Sequence, residues 1–110
     1  MGEKMRKILK LTDDNIDGIL SSNEMVVVDC NAEWCAPCKL FGPVFEEMAP
    51  HFPTIQFVTM DTDNNNMVNS GRFNIRSIPM VLFIKDGEIV NTGVGLMNKG
   101  QFREFIMESW

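Results

Sequence analysis

Apolar residues change their spacing several times along this chain, and each change predicts a different element. After a short apolar stretch at Ile8 to Leu11, Ile16, Ile19 and Leu20 recur at helical intervals behind Thr12 and Asp13, residue types that cap helix N-termini. Met25 is followed by three valines, the composition of a central strand covered on both faces. From Cys35 onward, Leu40, Phe41, Val44, Phe45, Met48, Ala49 and Phe52 follow helical spacing over a wide arc, which predicts a broadly packed helix. Pro37 suits its first turn, where an amide hydrogen would have no partner, whereas Pro43 falls inside and predicts a kink.

In the second half, Ile55 to Asp61 predicts another strand, followed by a polar turn and a short helix near Met67 to Phe73. Met80 to Ile84 is a fully apolar strand. Asp86-Gly87 beyond it is a two-residue hairpin sequence, so the strand Ile89 to Val94 returns antiparallel. Asn98 with Gln101 three residues later predicts a capped final helix whose inward face is Phe102, Phe105 and Ile106. The order βαβαβαββα implies an α/β fold: one mixed β-sheet of about five strands with helices on both faces. No linker, repeat or low-complexity segment divides the 110 residues, and a chain of that length can bury a core as a single domain over residues 1–110.

Composition narrows the function classes. With 45% hydrophobic and 23% charged residues, usage is that of a soluble globular domain. The net charge of −5 argues against a nucleic-acid surface. Lys4, Arg6, Lys7 and Lys10 cluster at the start as a solvated arm, and the rest of the chain is correspondingly more acidic. No stretch resembles a secretory h-region or a membrane span, so the expected location is the cytoplasm. Arg6 stands where a myristoylation motif needs Ser or Thr. Three cysteines cannot all pair within one chain, which fits reducing surroundings better than a disulfide-stabilised secreted domain.

Two of those cysteines, Cys35 and Cys38, flank two residues at a predicted strand-to-helix junction. Disulfide exchange proceeds by thiolate attack on a disulfide sulfur, so a catalyst needs one activated, accessible thiol and a second near enough to resolve the mixed disulfide. At a helix start, free amide hydrogens and the positive end of the helix dipole favour the Cys35 thiolate. Cys38, one turn deeper, is expected to be the more sheltered of the two. A structural zinc site would need about four ligands. Cys30 and His51 lack ligand spacing to the pair, so redox chemistry is the better reading and no metal or cofactor is expected.

Here the chain resembles the thioredoxin family. The residues that carry the likeness are Trp34-Cys35-Ala36-Pro37-Cys38-Lys39 after Val28-Asp29, then Pro43, Ile78-Pro79, Asp86-Gly87 and Val94-Gly95, in order over nearly the whole chain. The resemblance implies a thioredoxin fold and a protein-disulfide reductase in which Cys35 attacks and Cys38 resolves, closing a Cys35–Cys38 redox disulfide. It implies that Asp29 is a buried acid exchanging a proton with Cys38, and that Ile78-Pro79 is a cis peptide. It also implies that Trp34, Ala36, Pro37, Ile78, Pro79 and Gly95 line a shallow groove for client segments. The expected partners are disulfide-containing client proteins and a thioredoxin reductase as electron donor, with the protein a monomer bound to neither nucleic acid nor membrane. The alternative is a non-catalytic binding or assembly module on the same fold.

Burial alone supports part of this picture, because Asp29 follows three valines on a covered strand, where loss of solvent disfavours the carboxylate. Three positions depart from the commonest family pattern. Ala36 stands where Gly is usual, Asn31 where many relatives have Trp, and Thr59 where many have a Lys beside the buried acid. Cys30, one residue after Asp29, points to the other face of its strand as a small buried hydrophobe, and His51 is a surface residue at a helix end. Asp61 to Asn65 begins like a calcium loop but has Asn66 for the turn Gly and Arg72 for the closing Glu. Gly93-Val94-Gly95 lacks the third glycine of a dinucleotide fingerprint.

Overall fold

A computed structural model describes residues 7–65 and 73–110. The expected helix near Met67 to Phe73 lies for the most part outside the described residues. The strands are β1 (Leu9–Lys10), β2 (Met25–Asn31), β3 (Gln56–Asp61), β4 (Met80–Lys85) and β5 (Glu88–Val94). They form one sheet in the order β1-β3-β2-β4-β5. β2 is parallel to β3 and antiparallel to β4, and β5 is antiparallel to β4, so the sheet is mixed.

β2 is central, and its run Val26 to Cys30 is buried on both faces, as the valine run requires. Alternation along the strands then sorts the core into two layers. Val26, Val28, Cys30, Val58, Met60, Leu82 and Ile84 pack with Ile16, Ile19 and Leu20 of α1 (Ile16–Ser22). On the opposite face, Val27, Phe57, Val81 and Phe83 meet Phe41 and Phe45 of α2 (Ala36–Met48) and Phe102 and Ile106 of α3 (Lys99–Glu108). Phe41 and Phe102 meet edge to face at 5.1 Å between centroids, and Phe45 approaches Phe57 at 5.0 Å. These contacts seat α2 on the sheet and fix its first turn above the C-terminal end of β2.

Local signals were accurate where hydrogen bonds close within a few residues. Asp86 and Gly87 both have positive φ, 51° and 84°, as the two-residue hairpin demands. Asn98 accepts from Gln101 N–H at 2.8 Å while the Gln101 side chain accepts from Asn98 N–H at 2.9 Å, a reciprocal capping box. The first helix starts later than expected, at Ile16. Thr12 and Asn15 exchange side-chain to backbone bonds with each other and hold a turn ahead of it. Pro43 lies within α2, which runs on to Met48 and gives way to a 3₁₀ turn at Ala49–His51 rather than continuing to Phe52.

Candidate functional site

The site forms where β2 ends and α2 begins. Cys35 is the N-cap of α2, and its Sγ accepts the Cys38 N–H at 3.2 Å, so the sulfur occupies the place of a capping oxygen. Pro37, in the first turn, removes an amide hydrogen that would have no helical partner. The two cysteines are joined as a disulfide with their Cα atoms 5.3 Å apart.

Both half-cystines are covered, Cys35 at 4% and Cys38 at 5% relative exposure. The expectation of an exposed Cys35 above a sheltered Cys38 is therefore not met in the disulfide form. The bond draws both sulfurs into one apolar nest with Ala32 and Ile78. What distinguishes the cysteines is their surroundings. Cys35 caps the helix, whereas Cys38 belongs to the wall of an open cavity of about 760 Å³ that also includes Asp29, Glu46, Thr59, Asp61 and Lys10.

Asp29 is 3% exposed, and its Oδ1 has no hydrogen-bond partner among the described residues. Burial pushes its pKa up to about 7; hydrogen bonding by the Asn31 amide pulls the other way, and the Glu46 carboxylate adds to the rise. Asn31, on the same face of β2, also donates to the Asp29 main-chain carbonyl at 3.0 Å. Strand register sets Thr59 directly beside Asp29, so the neighbouring position on β3 holds a neutral hydroxyl where a lysine would be a cation. Cys30 projects into the opposite core layer and is fully covered, and burial foremost, then the Asp29 charge, pushes its thiol pKa upward.

On one flank of the β2 end lies the turn that leaves β3. There the exposed Trp34 indole donates to Asp63 at 2.8 Å, and Asp61 Oδ1 accepts the Asp63 N–H at 2.9 Å. On the other flank is the segment entering β4. The Ile78-Pro79 peptide is cis, Ile78 packs on the cysteine nest, and the Pro79 carbonyl accepts from Gly95 N–H at 2.9 Å. Gly95 has φ +98°, a conformation that favours glycine. Ala36 and Pro37 are exposed on the first turn of α2. The tertiary structure thus gathers Cys35, Cys38, Ile78, Pro79 and Gly95 on one side and sets Trp34 towards the other, while Asp29 lies beneath with Cys38. His51 follows the far end of the 13-residue α2, on the order of 20 Å of helix from Cys35.

Asp63, Glu46 and Lys10 border the same site. Nothing local marks them, because each enters through pairing or packing between distant segments.

A buried Cys-x-x-Cys disulfide at the N-terminus of a helix packed on this mixed sheet is the arrangement of a thiol-disulfide oxidoreductase. The thioredoxin family model matches residues 7–108. The thioredoxin of Mycoplasmoides gallisepticum is 42% identical over 83% of this chain and 90% of its own, and that of Haemophilus influenzae is 36% identical over 93% and 96%. A solved structure of Plasmodium falciparum thioredoxin superposes with a TM-score of 0.85 at 32% identity, covering 94% of this chain and all of that one. The chain belongs to the thioredoxin family.

Proposed function

We propose that this protein reduces disulfides in client proteins, with Cys35 as the attacking thiolate and Cys38 as the resolving thiol. The hydrogen bond from Cys38 N–H to Cys35 Sγ carries the assignment of roles. A donor at a helix N-terminus stabilises negative charge on Cys35 and leaves Cys38 as the partner that reaches back.

The cycle begins with the dithiol. The Cys35 thiolate attacks one sulfur of the client disulfide, which expels the other client sulfur as a thiolate and forms a mixed disulfide. Asp29 takes the proton from Cys38 through the shared cavity, and the resulting thiolate attacks Cys35 Sγ. The second client thiol leaves, and the Cys35–Cys38 disulfide closes. Two electrons have passed to the client, and a thioredoxin reductase returns two to the pair. A carboxyl titrating near pH 7 is matched to this proton transfer.

Trp34, Ala36, Pro37, Ile78, Pro79 and Gly95 form the client surface in this proposal. Exposure of Trp34 at 71%, and of Ala36 and Pro37, supports it. The Pro79 carbonyl is engaged by Gly95, which leaves the main chain of Ile78 as the edge for an extended client segment. The protein acts as a monomer in the cytoplasm, as one domain, and contributes to electron transport and thiol homeostasis there.

The test is catalysed reduction of insulin by dithiothreitol. Cys35→Ser is expected to abolish catalysis and Cys38→Ser to accumulate mixed disulfides, whereas activity retained by both variants would end the proposal. No observation favours a binding-only role.

A further inference from the structure

Strand register brings one charged residue into the proton site from the edge of the sheet. Lys10 on β1 pairs with Thr59 on β3, and Thr59 pairs with Asp29 on β2. Residues paired across a sheet project from the same face, and all three belong to the cavity beside Cys38. Neighbouring strands are about 4.8 Å apart, so the Lys10 and Asp29 backbones are separated by about 10 Å. A lysine stem is roughly 6 Å long, so its ammonium group can reach over Thr59 toward Asp29. Thr59, between them, is small and uncharged, so it neither blocks the row nor supplies a competing cation.

We propose that Lys10 is a positioning residue of the proton site, its ammonium group acting across Thr59 to favour the Asp29 carboxylate and so tune proton transfer from Cys38. The inference rests on Asp29 as the proton acceptor. Lys10 acts through a field across a cavity open to solvent rather than through a contact ion pair, so its influence is modest and sensitive to salt.

Among the described residues, the other charged groups around this cavity are Glu33 before α2, Lys39 and Glu46 on α2, and Asp61 at the end of β3. β4 offers only Val81 in the Asp29 row, and β5 offers Gly93. Among the described residues, three carboxylates and two ammonium groups therefore line the cavity with Asp29. Of these, Lys39 is carried by the helix, whereas Lys10 is held in the same sheet row as Asp29.

The experiment follows resolution directly. Reduced protein is mixed with excess dithiobis(nitrobenzoate). Attack by Cys35 releases one nitrothiobenzoate, and attack of Cys38 on the mixed disulfide releases the second, so the second phase reports resolution as a function of pH. In Lys10→Met the midpoint of that profile is expected to rise by about half a pH unit to one unit, because loss of a nearby cation disfavours the carboxylate. Lys10→Arg should retain the parent midpoint, and Thr59→Lys should restore it in the Lys10→Met background. High salt should shrink the difference between parent and Lys10→Met.

A profile moved by Asp29→Asn but not by Lys10→Met overturns the role of Lys10 alone. A profile unmoved by Asp29→Asn removes Asp29 itself from the mechanism. A shift in Lys39→Met as large as that in Lys10→Met also overturns the proposal, since the effect would then belong to the total charge of the cavity.

Discussion

The Trp34 indole N–H donates to the Asp63 carboxylate across 2.8 Å, tying the residue before the cysteine pair to the turn that leaves β3. Because Trp34 is 71% exposed, this bond orients the side chain more than it stabilises the fold. A surface hydrogen bond of this kind is worth about 0.5–1 kcal/mol. Asp63→Ala is expected to lower kcat/KM for insulin reduction about two- to fivefold, with little change in melting temperature. Steady-state kinetics beside a thermal melt would check both parts.

Asp29 couples protonation to stability. Its pKa is raised from 3.8 to about 7 in the folded chain, so the folded form binds the proton more tightly than the unfolded one. Its contribution is intact below about pH 3.8 and is lost progressively as pH rises towards 7, where the buried carboxylate becomes charged. The difference amounts to roughly 4 kcal/mol at full ionisation. Asp29→Asn should therefore be more stable than the parent at pH 8, and the advantage should shrink on acidification towards pH 4. Denaturant unfolding of both proteins across that range measures it; an advantage that does not vary with pH would contradict the burial argument.

Gly93 makes room for α3. A Cβ built there meets the Phe105 ring at a distance no real contact tolerates. Gly93→Ala is expected to cost about 1–3 kcal/mol, the usual range for overpacking. Phe105→Leu should relieve part of that cost in the double variant, a coupling that urea denaturation can measure.

Asn98 begins α3 with a capping box. Asn98→Ala leaves the Gln101 amide without its side-chain acceptor and should lower stability by about 1 kcal/mol. Asn98→Asp should restore most of it, as judged by chemical denaturation.

Features set by short-range chemistry are legible in the residues alone. Three valines after Met25 specified a two-sided central strand, Asp86-Gly87 specified a two-residue turn, and Asn98 with Gln101 specified a helix start. Cys35-Ala36-Pro37-Cys38 likewise placed a dithiol at a helix N-terminus, because capping and helix geometry act within a few residues. What lies around that cysteine pair depends on how distant segments pack and pair. Trp34 and Asp63 meet across 29 positions of sequence, and Asp29, Thr59 and Lys10 form one row through strand register. The covering of Cys35 and the cavity beside Cys38 likewise depend on how α2 and the segment before β4 pack against the sheet. A hydrophobic pattern fixes which face of a strand is buried, but not which strand lies beside it. Sequence position already separates the cysteines as helix start and next turn; their exposure in the disulfide is nearly equal, and the helix-capping bond on Cys35 and the acid-floored cavity beside Cys38 make their surroundings differ.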